Sequence, residues 1–205
     1  MGLPEDVNPA SRATLFRTPL ERRLWLAVGI TVSLLLAALY PLQFVLDALR
    51  ARNLLRPTIA ALFLLCAVAV VGALAWHRAP RAAWIVVALA GAVYGALALA
   101  MEVPQERLHL VEYGVLALLL RAAIAESVAR RPAGDRVSNI DVWALGAATA
   151  IGWIDEAVQG ILPNRIYDLR DVAFNALAAL LALGAAAVVR KAMREPEHIR
   201  EQGVR

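Results

Sequence analysis

The sequence predicts an all-α membrane protein, a polytopic bundle of about six transmembrane helices. Hydrophobic residues make up 60% of its 205 residues, whereas soluble domains contain about 45–50%. The apolar residues also collect in long runs, and a membrane-spanning helix needs about 20 of them in succession. Six segments meet this length or come close to it. They are residues 24–46, 57–76, 82–101, 108–129, 140–161 and 171–189.

The first three segments contain no charged residue, and the sixth contains only Asp171 at its start. The first is too long for the core of an ordinary signal peptide, so we expect it to be retained as a span. Pro57 opens the second segment and Pro104 lies just ahead of the fourth. Proline is tolerated in the first turn of a helix, so both positions fit helix starts.

The fourth and fifth segments are more polar. The fourth carries Arg121 deep in its apolar run, and the fifth carries Asp155 and Glu156 near its end. Hydropathy alone would allow these segments to be buried amphipathic helices, so a bundle with five spans stays open. Arg121 either extends its charged head to the membrane surface or pairs with a carboxylate, and we favour the first.

Basic residues are unevenly distributed among the connections. The N-terminal arm, the second and fourth connections and the C-terminal tail together contain 14 of them, and the other three connections contain six, of which three are in the first connection. The positive-inside rule then predicts that both termini are cytoplasmic. We expect a cytoplasmic arm over residues 1–23, transmembrane helices over 24–103, a helical core over 104–190 and a cytoplasmic tail over 191–205.

Under this topology two polar segments lie on the same outer side of the membrane. His109 shares a helix face with Glu112 and Tyr113, three and four positions later. Asp155 lies about 21 Å along the fifth helix from its polar start, still inside the hydrocarbon layer. A carboxylate there costs about 2.5–3.5 kcal/mol, so it should face the bundle interior and pair. The remaining polar residues are Glu156, Gln159, Arg165, Asp168, Asp171 and Asn175.

Three interpretations of these residues stay open. They form a network that only holds helices together, they bind a polar ligand or lipid headgroup in an outward-facing cup, or they catalyse a reaction. In a catalytic site, His109 would be a general acid or base oriented by Glu112, and Asp155 or Glu156 would be a second one. A less favoured version gathers His109, Glu112 and Asp155 or Glu156 around a divalent metal ion, although a His-x-x-Glu pair alone is weak evidence.

The spacing of these residues resembles that of the VanZ-like family over residues 106–183. The pattern is His109-x-x-Glu112-Tyr113-x-x-Leu116, then Asp155-Glu156-x-x-Gln159-x-x-x-Pro163-x-Arg165-x-x-Asp168-x-x-Asp171-Val172-x-x-Asn175. The resemblance implies a bacterial multi-pass protein of the cytoplasmic membrane, with no settled reaction, whose founding member is linked to reduced sensitivity to the lipoglycopeptide teicoplanin. It also makes the region 104–190 a VanZ-like core. Ala178 stands where the family tends to have glycine, and its small side chain should still let helices pack closely.

These observations predict a cell-envelope protein whose outward polar site binds or modifies a headgroup. The expected partners are membrane lipids and a lipid-linked wall component or lipoglycopeptide, and we expect no nucleic acid. A transporter or flippase-like module that uses buried carboxylates is the first alternative. A non-catalytic scaffold is the second.

Overall fold

The protein folds into helices alone over the residues that its structure describes. The structure is a computed structural model and describes residues 16–101, 103–129, 138–162 and 167–202, with side chains up to residue 194. Five of the helices are long and apolar enough to cross a membrane, so the chain is an all-α membrane protein, as the sequence predicts. The helices are α1 (Pro19–Ala51), α2 (Leu55–Trp76), α3 (Arg81–Ala100), α4 (Arg107–Ala129), α5 (Ile140–Gln159) and α6 (Leu169–Gln202), and a 3-10 turn (Pro104–Glu106) precedes α4.

Helix α5 is the one described helix that is too polar to qualify as a span by composition. It nevertheless runs the length of the bundle, because Asp141 in its first turn contacts the far part of α4 and Asp155 near its end contacts the start of α4. Asp155 and Glu156 are turned inward and are almost completely buried. The fifth segment, although polar, is therefore a helix of the bundle, as predicted, and its Asp155 and Glu156 carboxylates are kept away from the outer surface.

Helix α1 begins at Pro19, ahead of the apolar segment that predicts it. The side chain of Thr18 accepts a hydrogen bond of 2.9 Å from the amide of Glu21. The Glu21 carboxylate in turn accepts one of 2.7 Å from the amide of Arg17. These reciprocal bonds, a variant of the capping box, satisfy amides that the first turn would otherwise leave unpaired. Capping chemistry therefore extends the helix beyond its apolar part.

The core forms mainly between the last three helices and α1. Helices α2 and α3 turn most of their side chains outward, and Ala83 is the one buried residue of α3. Such apolar surfaces suit a lipid environment, since lipid tails are as apolar as leucine. The fully buried apolar residues of the core are Leu110, Tyr113, Leu116, Ala117, Ala123, Ala144, Ala148, Ala178 and Ala179.

Successive helices run in opposite directions, which gives the bundle two distinct ends. Trp25 near the start of α1 donates a hydrogen bond of 3.0 Å to Ser127 near the end of α4. Arg190 of α6 lies 3.2 Å from Asp141 in the first turn of α5. The start of α1 and the far part of α6 therefore share one end, which we call the Glu21 end. We call the opposite end, where α4 starts, the His109 end.

Arg121 forms an ion pair with a carboxylate, which was the alternative to the interpretation favoured from the sequence. Its Nε donates a hydrogen bond of 2.7 Å to Oδ1 of Asp141, an oxygen that also accepts from Arg190. The Arg121 side chain is 22% exposed. The antiparallel pairing of α4 with α5 brings the Asp141 carboxylate within reach of Arg121.

Candidate functional site

The polar residues predicted from α4 and α5 meet at the His109 end. The first turns of α4 present one group of side chains, and the last turns of α5 present the other across the helix interface. Tyr113, Asp155 and Glu156 are 0–1% exposed, so the contact lies inside the bundle. We refer to these six residues as the His109 cluster. They are His109, Glu112, Tyr113, Asp155, Glu156 and Gln159.

Asp155 is the centre of the cluster. Its Oδ2 accepts a hydrogen bond of 3.0 Å from the hydroxyl of Tyr113 and a weaker one of 3.4 Å from the amide of Gln159. His109 Nδ1 lies 4.0 Å from the same oxygen and 3.2 Å from Oε2 of Glu112. His109 thus lies between two carboxylates, and the pairing of His109 with Glu112 is the one that helical spacing predicts.

Glu156 is the deepest carboxylate of the cluster. Gln159 donates a hydrogen bond of 3.1 Å to its Oε1, and the main-chain amide of Asp168 approaches the carboxylate. Among the described residues, Oε2 of Glu156 and Oδ1 of Asp155 have no hydrogen-bond partner. Asp155 and Glu156 are therefore buried side by side, and each has one carboxylate oxygen without a hydrogen-bond donor among the described residues.

Asn175 of α6 lies beside the His109 cluster, near Tyr113 and Gly152. It is completely buried, and neither atom of its side-chain amide has a hydrogen-bond partner among the described residues. A Cβ atom on Gly152 of α5 would lie 3.2 Å from the Asn175 Cβ and 3.2 Å from Tyr113 Cε1. Gly152 is therefore what allows α5 to approach Tyr113 and Asn175 together. It was not predicted from the sequence as a site residue.

The remaining predicted residues lie at the edge of the site or outside the described chain. Asp168 Oδ1 accepts a hydrogen bond of 2.8 Å from the amide of Arg170, so its carboxylate caps the start of α6. Asp171 lies within Coulombic range of Glu156 and Glu106. Arg165 falls outside the residues that the structure describes.

A cavity of about 300 Å³ opens beside the cluster. Its polar wall includes His109, Glu112, Asp155 and Gln159, together with the 3-10 turn. Its other wall is a face of α1, whose lining residues are Thr31, Leu34, Leu35, Ala38, Leu39, Leu42 and Leu46. The cavity is thus polar on one side and apolar on the other.

The apolar wall runs along α1, and the cavity opens to the outer surface of the bundle. From Thr31 to Leu46 it covers about 22 Å of helix, at 1.5 Å per residue, and it runs from the middle of α1 towards the His109 end. Leu34 lines the cavity and is also 64% exposed, so the cavity borders the outer surface of the bundle. The sequence alone did not reveal this wall, because an apolar residue that lines a cavity looks the same as one that faces lipid.

The arrangement limits the chemistry of the site. Ionised carboxylates only accept hydrogen bonds, so the site suits hydroxyl groups, ammonium groups or a cation. His109 is placed for proton exchange with a group in the cavity, and Glu112 is placed to orient its ring. One donor atom each from His109, Asp155 and Glu156 lie within 4.8 Å of one another, which is close enough for a shared metal ion.

Comparison of the chain with known protein families, with curated proteins and with solved structures finds no significant match. The resemblance to the VanZ-like family therefore stays a prediction that depends on the spacing of the polar residues. What is established of the chain is that it is a membrane protein made of helices, with a buried carboxylate cluster at one end of its bundle.

Proposed function

We propose that this chain is a VanZ-like protein of the bacterial cytoplasmic membrane that binds the polar headgroup of an amphiphilic envelope molecule at the His109 cluster. The observation that carries the proposal is the two-sided cavity, in which Asp155 and His109 face an apolar stripe on α1. The headgroup would contact the carboxylates while a hydrocarbon chain lies along α1. A ligand without an apolar part would leave the apolar wall of the cavity uncovered.

The class of headgroup follows from the acceptor oxygens. A headgroup rich in hydroxyl or amine groups, as in a lipid-linked sugar or the sugar of a lipoglycopeptide, supplies the donors that Asp155 and Glu156 lack among the described residues. Binding would then lower the cost of burying these groups. A modifying activity would add proton transfer by His109, which lies beside the same cavity.

The side on which the site lies is part of the proposal. Arg17, Arg22 and Arg23 lie about the start of α1, and Arg190, Lys191 and Arg194 lie in the far part of α6. All are at the Glu21 end, opposite the cluster. Positive-inside logic makes that end cytoplasmic and directs the cavity towards the cell envelope.

The test uses Glu156→Gln, which keeps the shape of the side chain and removes its charge. The full chain and this variant are purified in mild detergent, and the lipids that remain bound are identified by mass spectrometry. We expect the unchanged chain to retain an amphiphile with a hydroxyl- or amine-bearing headgroup, and the variant to retain at least tenfold less. Asp47→Asn is the matched control, because Asp47 pairs with Arg50 at the same end of the bundle and does not line the cavity.

A second measurement links the site to the envelope. Bacteria that express the unchanged chain should show altered sensitivity to teicoplanin, and bacteria that express Glu156→Gln should not. Equal bound lipids and equal sensitivity in a variant of normal stability would contradict the proposal. Ion-coupled flux in vesicles that Glu156→Gln abolishes would instead favour the transporter, and loss of stability without a change in bound lipid would favour the scaffold.

A further inference from the structure

Three donor atoms converge between α4 and α5. His109 offers a ring nitrogen, Asp155 and Glu156 each offer a carboxylate oxygen, and all three atoms lie within 4.8 Å of one another. Donors bound tetrahedrally to one ion at about 2.0–2.2 Å are separated from one another by about 3.4 Å. Side-chain shifts of about 1 Å would therefore bring the three atoms to coordination distance.

The unmatched oxygens are a second and independent indication of a ligand. Asp155 is 1% exposed and Glu156 is 0% exposed. Oδ1 of Asp155 and Oε2 of Glu156 have no hydrogen-bond partner among the described residues. Buried polar atoms are nearly always satisfied, by protein, water or an ion. A ligand that binds both carboxylates would satisfy both oxygens at once.

Charge decides which kind of ligand this is. Adjacent ionised carboxylates inside a membrane bundle are stabilised by nearby positive charge. In the part of the chain that the structure describes, His109 is the basic side chain at ion-pair distance from Asp155, and neither carboxylate pairs with an arginine or lysine. A neutral headgroup would donate hydrogen bonds to the two oxygens, but it would not compensate the negative charge of the carboxylates. A divalent cation would satisfy both requirements.

We infer that His109, Asp155 and Glu156 bind one divalent metal ion between α4 and α5. One nitrogen and two carboxylate oxygens suit Zn²⁺ or Mn²⁺ better than Ca²⁺, which prefers six to eight oxygen ligands. Three protein donors leave at least one coordination position for another oxygen. Since His109 and Asp155 line the cavity, that position would accept an oxygen of the headgroup, so this part of the inference rests on the proposed function.

The test measures the metal itself. The full chain is purified in detergent without chelator, its metal content is measured by mass spectrometry, and the chelated protein is then titrated with Zn²⁺ and with Mn²⁺. We expect about one ion per chain. Asp155→Asn and Glu156→Gln should each weaken binding at least tenfold, whereas Asp47→Asn and Glu21→Gln, which change carboxylates outside the cluster, should bind as the unchanged chain does.

A spectroscopic measurement on the unchanged chain avoids dependence on the folding of any variant. Bound Mn²⁺ should show magnetic coupling to a nitrogen nucleus, as expected for ligation by His109. Absence of stoichiometric metal, absence of the nitrogen coupling, or equal binding by the Asp155→Asn and Glu156→Gln variants would each overturn the inference. If the chain binds no metal and still retains its amphiphile, the metal inference fails and the proposed function stands. If metal binds and no amphiphile is retained, the proposed function fails and the metal site stands.

Discussion

The two ends of the bundle both bury a glutamate, and they treat it differently. At the Glu21 end, Oε1 of Glu21 accepts a hydrogen bond of 2.6 Å from Ser127, and Oε2 accepts one of 2.7 Å from the amide of Arg17. At the His109 end, Glu156 is at least as deeply buried and has one oxygen without a partner among the described residues. A buried carboxylate that serves only to join helices can have both oxygens satisfied within the chain. The contrast is what assigns function to the His109 end.

The close packing of α5 against α4 and α6 at the His109 end can be disrupted by a substitution at Gly152. Gly152→Leu would place a side chain against Tyr113 and Asn175, where even a Cβ atom would lie at 3.2 Å. We expect a loss of about 3 kcal/mol in the free energy of unfolding, because overpacking forces the helices apart. The measurement is thermal or denaturant unfolding in detergent. Gly146→Leu on the same helix is the control, since nothing lies within 4 Å of a Cβ there, and equal losses in both variants would contradict the assignment.

The satisfied glutamate can be converted into an unsatisfied one with Ser127→Ala. This change removes the hydroxyl that donates to Glu21 and accepts from Trp25. We expect the free energy of unfolding to fall by about 2 kcal/mol, the usual cost of leaving buried polar groups unpaired, with no effect on bound lipid or metal. Removal of the exposed hydroxyl of Ser33 should change stability far less. A Ser127→Ala protein of full stability would show that the Glu21 end does not depend on this network.

The same reasoning predicts that a substitution at Asn175 raises the free energy of unfolding instead of lowering it. Asn175→Leu replaces a buried amide that has no partner among the described residues with an apolar side chain of similar size. We expect the purified, ligand-free chain to gain about 1 kcal/mol in the free energy of unfolding, because an unsatisfied polar group is removed. The retained amphiphile should fall at the same time. A clear loss of stability with unchanged lipid retention would assign Asn175 to the scaffold instead.

The sequence was sufficient for the features that depend on local pattern. Runs of about 20 apolar residues define the spans, and helical spacing places Glu112 and Tyr113 on the face of His109. The alternation of spans also predicts that the starts of α4 and α6 and the end of α5 share one end of the bundle. This alternation alone predicts that His109 and Asp155 lie at the same end of the bundle.

Features that depend on the register between helices were not predictable in this way. The pairing of Arg121 with Asp141 requires the relative height of α4 and α5, which a single sequence does not contain. Asp168 has the spacing of a site residue, yet its carboxylate caps its own helix. The α1 wall of the cavity has no polar signature at all, since lipid-facing and cavity-facing leucines are chemically identical.

The hydrogen bonds at the Glu21 end also impose an order on biosynthesis. Thr18 and Glu21 take partners from Glu126 and Ser127, which lie 108 and 106 positions later in the chain. At a synthesis rate of about 5–20 residues per second, those partners leave the ribosome about 5–20 s after the first helix does. The first helix must therefore wait in the membrane until the fourth arrives. The polar contacts of the Glu21 end thus form only after more than half of the chain has been synthesised.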